Sequence, residues 1–107
     1  MTGRHGVTSE SKIGIAVLQI LAGSPSGTST IQSLIKKIPK YVNLTAEDRE
    51  QSITRPGEEM WEQRVRNIKS HDKTSGNLIA EGLLSHPKKG SLSITDAGRA
   101  FLKHKGL

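Results

Sequence analysis

The sequence predicts a mainly α domain with a small β-hairpin, an α+β fold. Three observations predict it. Apolar residues recur at helical spacing in several separate segments. A Pro87-Lys88-Lys89-Gly90 turn is followed by Ser91-Leu92-Ser93-Ile94, which alternates polar and apolar as a half-buried strand should. Finally, only 33% of residues are apolar, with one each of Trp, Tyr and Phe, so Ile, Leu and Val must build the core. Such a core is expected to leave no room for a deep substrate cavity. The 107 residues suffice for one domain and not two. Residues 1 to 8 are Gly-rich and polar and read as a flexible arm; residues 9 to 107 read as the domain.

Each element follows from its local pattern. Ser9 or Ser11 caps a first helix with Ile13, Val17, Ile20 and Leu21 on one face. Gly23 stops it, and residues 24 to 27 form a turn. Thr28 begins a very short strand. Ser29 or Thr30 caps a second helix facing inward through Ile31, Leu34, Ile35 and Ile38, which Pro39 ends or kinks. Thr45 and Asp48 have the spacing of a capping box, which predicts a short helix there. Pro56 and Gly57 mark a loop over residues 52 to 57. A longer helix starts near Glu58 and Glu59, carboxylates suited to a first turn, with Trp61, Val65 and Ile68 on one face. It weakens at residues 72 to 76, after which Asn77 caps another helical turn that stops at Gly82. Residues 83 to 86 and 91 to 94 flank the hairpin turn. Thr95-Asp96 opens a last helix carrying Ala97, Ala100, Phe101 and Leu102.

The order is helix, short strand, helix, short helix, long helix, hairpin, helix. This is the plan of a winged helix-turn-helix domain, the hairpin being the wing. The stretch from Ile79 to Leu102, IAEGLLSHPKKGSLSITDAGRAFL, carries a Gly-Leu-Leu helix end, a basic Gly-containing turn and an Ile-Thr-x-x-Gly-Arg ending. These features resemble winged-helix domains generally, and the N-terminal domain of Mrr-type restriction endonucleases in particular. The likeness extends upstream to LTAEDREQ at Leu44 to Gln51 and to Arg64-Val65, and spans about residues 9 to 103. The segment around HDKTSGN, residues 71 to 77, is longer than that pattern by a few residues. A reading helix with such an insert also resembles the winged helices of nucleases that sense methylated adenine.

The resemblance implies double-stranded DNA, including methylated DNA, as the partner, with a nuclease domain in the same parent chain. It places the long helix in the major groove. With Trp61, Val65 and Ile68 inward, the phase of about 100° per residue points Gln63, Arg66, Asn67 and Ser70 outward, with Arg64, Lys69 and His71 on the flanks. Arg pairs bidentately with guanine and Asn with adenine, while Lys and Ser favour phosphates. The alternative is a solvated helix face. Lys73, Thr74, Ser75 and Asn77 form a donor-rich segment before a helical turn, suited to a phosphate or simply a capped loop. Lys88 and Lys89 at the hairpin tip reach a phosphate or the minor groove, or serve solubility. Arg55 is a further phosphate candidate, with Lys36, Lys37 and Lys40 behind it. Trp61 reads first as core, and otherwise as an apolar edge for a base methyl group.

The charge agrees with a nucleic-acid partner. Lys and Arg number 16 against 10 Asp and Glu, a net charge of +6, and the pI of about 9.9 exceeds the rough value of 9 that marks such domains. There is no cysteine, which removes disulfides, thiol chemistry and Cys-bound zinc. His5, His71, His86 and His104 form no metal-binding spacing, and no nuclease motif or nucleotide-binding Gly-rich loop is present. The reading is a chain with no enzymatic activity, no cofactor and no metal. Without a membrane-length apolar run or a signal peptide, a cytoplasmic location is expected. Two other functions stay open on the residues alone: a small transcriptional regulator, and a winged helix used for protein contacts.

Overall fold

The computed structural model describes residues 10–52 and 56–106. The expected arm, the Ser9 cap and Arg55 lie outside the described residues. Helix α1, Glu10–Ala22, is the central element. Ile13, Val17, Ile20 and Leu21 are buried as the spacing requires, and Ala16 and Leu18 are buried beside them. A helix burying this much of its circumference must be surrounded, and α1 packs against the elements described next. Each fully buried Leu or Ile in it contributes about 1.5–3 kcal/mol.

Strand β1, Thr28–Thr30, leads into α2, Ile31–Lys37, which Thr30 caps by accepting from the Ser33 N–H at 3.1 Å. Pro39 does not simply end α2. It tightens the chain into a 3₁₀ turn, Ile38–Lys40. The Thr45–Asp48 box forms reciprocally: Thr45 N–H donates to Asp48 Oδ2 at 2.9 Å, and Asp48 N–H to Thr45 Oγ1 at 3.1 Å. It closes a turn and not the expected helix. The chain leaves at once for other partners, with Ser52 N–H bonding to Glu58 O and Met60 N–H to Glu50 O, both 2.8 Å.

Helix α3 runs Met60–Ser70. The following residues 71 to 82 form consecutive turns. Strand β2 is short, Leu84–Ser85, and β3 is Ser91–Ile94. Residues 83 and 86, expected in the strand, pair with nothing in the ladder. The three strands form one antiparallel sheet in the order β1-β3-β2, with Thr28 opposite Ser93 and Leu84 opposite Ile94. The hairpin turn is anchored where Ile31 N–H donates to Gly90 O at 2.8 Å, which ties it to the start of α2.

Helix α4, Asp96–His104, is capped by Thr95, whose hydroxyl accepts from Gly98 N–H at 3.0 Å. The inward face differs from the expectation. Gly98 and Leu102 are buried and Phe101 is half-buried, whereas Ala97 and Ala100 are exposed. Gly98 sets this phase. A Cβ there would overlap the Leu83 carbonyl and crowd Ile94, so only glycine lets α4 lie against the sheet. Arg99 reaches back so that Nη1 donates to the Ala22 carbonyl at 3.4 Å. The Thr95, Gly98 and Arg99 of the terminal motif thus cap α4, seat it and join it to α1. The α+β arrangement, helices around α1 with a small antiparallel sheet, is compatible with the winged-helix plan.

Candidate nucleic-acid interface

Helix α3 is positioned by both its ends and its apolar stripe. Glu62 accepts from the Glu59 N–H at 3.3 Å at the N-terminus. Trp61, Val65 and Ile68 are buried against the core, which confirms the phase read from the sequence. Trp61 is only 3% exposed, and its Nε1–H donates to Glu59 Oε1 at 2.8 Å. Almost none of the ring is left for a base methyl group to meet.

The first half of the outward face is engaged within the molecule. Gln63 Oε1 accepts from the Ser52 hydroxyl at 2.6 Å. Arg64 Nη1 lies 3.1 Å from Asp48 Oδ1, and Asp48 is fully buried. Arg66 Nε lies 2.6 Å from Glu58 Oε2. Of the ten carboxylates, Glu47, Asp48, Glu50, Glu58, Glu59 and Glu62 all fall between residues 47 and 62. The N-terminal approach to α3 is therefore the acidic end of the molecule, and the three polar side chains first in line for base contacts already have partners there.

The second half differs. Asn67, Lys69, His71, Lys73, Thr74 and Ser75 make no side-chain hydrogen bond or ion pair among the described residues. Ser70 holds only a long 3.4 Å bond to the Arg66 carbonyl. Asn77 is the exception. Its Nδ2 donates to the Ile68 carbonyl at 2.9 Å, and its Oδ1 accepts from the N–H groups of Ile79 at 2.7 Å and Ala80 at 3.3 Å. Asn77 thus caps a single turn, as its sequence position predicted, and fastens that turn to the end of α3. From residue 63 onward there are nine Lys and Arg against three carboxylates.

One further link shapes this region. His86 Nε2 lies 3.6 Å from Asp72 Oδ2, joining the residue after β2 to the turns after α3. Lys88 and Lys89 are exposed at the hairpin turn. Beside the second half of α3 lies an open cleft of about 790 Å³. It gathers Arg64, Asn67, His71, Thr74, Ser75 and Asn77 from the candidate set and adds Ile13, Ile15, Phe101 and Lys105 from α1 and the α4 end. A cavity of this size was not expected from the sparse apolar content. It lies where α1, the end of α3, the turns of residues 74 to 78 and the end of α4 come together.

A family model described as the Mrr N-terminal domain matches residues 11–104. The chain belongs to that family. The matched segment runs from the first turn of α1 to the end of α4, and the family is that of the N-terminal domain of Mrr restriction endonucleases. No curated protein and no solved structure matches the chain. Membership makes this a restriction-system domain related to DNA. Among the described residues no helix is long and apolar enough to cross a membrane.

Sequence reasoning missed the acidic partners. Asp48 reaches Arg64 across 16 positions and Ser52 reaches Gln63 across 11, and no local pattern announces such a pair. One signal was available: a carboxylate cluster immediately before a basic helix is a natural source of partners for that helix.

Proposed function

We propose that this domain binds double-stranded DNA as the specificity module of a restriction system, with a nuclease domain in the same parent chain doing the cutting. The observation that carries the reading is the set of unengaged side chains on one stretch: Asn67, Lys69, His71, Lys73, Thr74 and Ser75. Polar side chains that a fold leaves without partners at a cationic surface are available to a polyanion. Asn67 is the base-edge candidate, since its amide offers a donor and an acceptor together, the pattern that adenine presents in the major groove. Lys69, Lys73, Ser70, Thr74 and Ser75 are the phosphate contacts. Lys88 and Lys89 extend the footprint along the backbone. Arg66 keeps a secondary place, because its Nε is committed to Glu58. No residue here is asked to perform chemistry.

A gel-shift series over rising salt tests the reading. Binding should weaken with a log–log slope of about −0.9 per phosphate contact on B-DNA. Absence of any duplex shift at low salt would contradict it and favour a domain used for protein contacts. The narrower form, a preference for N6-methyladenine, rests on the resemblance to methyl-sensing winged helices. Matched methylated and unmethylated duplexes decide it, and equal affinity would remove the methyl preference while leaving DNA binding in place.

A further inference from the structure

A contact between a side chain and a base edge in the major groove needs no recess. Yet the unengaged stretch borders a cleft of about 790 Å³, within the range of small-molecule sites. Its walls and rim differ in chemistry. Half-buried Ile15 and Phe101 supply apolar surface from α1 and α4, with buried Ile13 and Ile68 behind them, whereas Asn67 and His71 bring polar groups from the α3 end and Arg64 and Glu81 one charge of each sign. Phe101 is half-buried, and the Lys105 ammonium sits 5.4 Å from its ring centroid. Gly14 allows the turn carrying Leu78 to close on α1: a Cβ there would come within 3.0 Å of Leu78 Cδ1.

Apolar walls, a polar rim and a nearby cation suit a ligand with flat apolar faces, a hydrogen-bonding edge and an attached anion. A nucleobase on its sugar-phosphate has these properties. Phe101 offers a stacking face for the base. Asn67 and His71 offer partners to the base edge, and Lys105 a charge for the phosphate. We propose that this cleft receives a single nucleobase turned out of the bound duplex. The proposal rests on the DNA-binding reading above and deepens it, adding recognition of one whole base in the cleft to the groove and phosphate contacts.

Turning a base out of a paired duplex costs its pairing and stacking, and least where the base is already unpaired. The experiment therefore compares the full chain on a paired duplex and on the same duplex with a single-nucleotide bulge. A parallel NMR titration uses free 2′-deoxynucleoside monophosphates at millimolar concentration. The bulged duplex should bind about tenfold tighter or more. Ile15→Trp, which fills the cleft from α1, should abolish that preference. Phe101→Ala should reduce the preference through loss of the stacking face, with thermal unfolding recorded for both variants. Shifts of the Phe101 ring and Asn67 amide on adding free nucleotides, without any bulge preference, would overturn the everted base as the source and assign the cleft to free nucleotides. Equal affinity for both duplexes with no nucleotide-induced shifts would overturn the proposal altogether. Loss of all duplex binding would instead count against the DNA-binding reading, and the free-nucleotide arm would still judge the cleft.

Discussion

The two halves of α3 carry similar side chains and use them in opposite ways. In the first half, Gln63, Arg64 and Arg66 are held by Ser52, Asp48 and Glu58. In the second half and the turns beyond it, Asn67, Lys69, His71, Lys73, Thr74 and Ser75 have no such partners among the described residues. The difference comes from what precedes the helix. Residues 47 to 62 bring six carboxylates to its N-terminal end, and a guanidinium beside a carboxylate is claimed by it. Helical phase alone cannot separate the two halves; pairing does. A basic residue on a reading helix is thus a scaffold element or a contact according to whether the fold has already neutralised it.

The comparison is sharpest at Asp48. Its carboxylate is buried, accepts from the Thr45 N–H and pairs with Arg64. Asp48→Ala leaves the Arg64 charge without its partner, and chemical denaturation should show a loss of about 3–5 kcal/mol. The folded fraction should still bind duplex with wild-type affinity. A large drop in affinity at conserved folding would break the division between halves. Next in size is Asn67→Ala, which should cost about 1–3 kcal/mol of binding on a preferred duplex. Its stability should change within about 0.5 kcal/mol, as for a surface position. Calorimetric titration paired with thermal melts separates the two quantities.

Gln63→Ala is the converse probe. It removes the acceptor for the Ser52 hydroxyl, so stability should fall by about 1 kcal/mol while duplex affinity stays level. Equal losses of affinity for Gln63→Ala and Asn67→Ala would mean that both halves read DNA. The smallest effects belong to single phosphate contacts. Lys73→Gln and Lys88→Gln should each flatten the log–log salt slope by about 0.9, measured by anisotropy across a salt series. An unchanged slope would return that lysine to a solubility role.

Much of the fold was legible in the sequence because it depends on short-range pattern. The stripe of Trp61, Val65 and Ile68, the Thr30 and Thr95 caps, the Asn77 turn and the β3 alternation all announce themselves within a few residues. The Thr45–Asp48 box is legible as well, but its spacing alone predicts a helix. The same two bonds close a lone turn when the next residues are drawn away to pair with Glu58 and the start of α3. In α4 the local pattern predicts the helix but not its inward face. Ala97 and Ala100 looked inward by type, whereas the demand for contact without a Cβ against Leu83 placed Gly98 there. The candidate interface residues are legible as types and positions. Their availability was not, because the partners that occupy Gln63 and Arg64 lie 11 and 16 positions away. The cleft was likewise hidden, since its walls come from α1, α3 and α4 together.

The most direct measurement is an NMR titration of the labelled domain with a short duplex at low salt, following backbone and side-chain amides. Perturbations should concentrate on residues 67 to 77, centred on the Asn67 side-chain amide, with a second group at 88 to 90. Residues 45 to 52 and Gln63 should stay near their free positions. Perturbations confined to residues 45 to 63, or none at all with a saturating duplex, would contradict the claim that the unengaged half of α3 and the turns after it meet DNA.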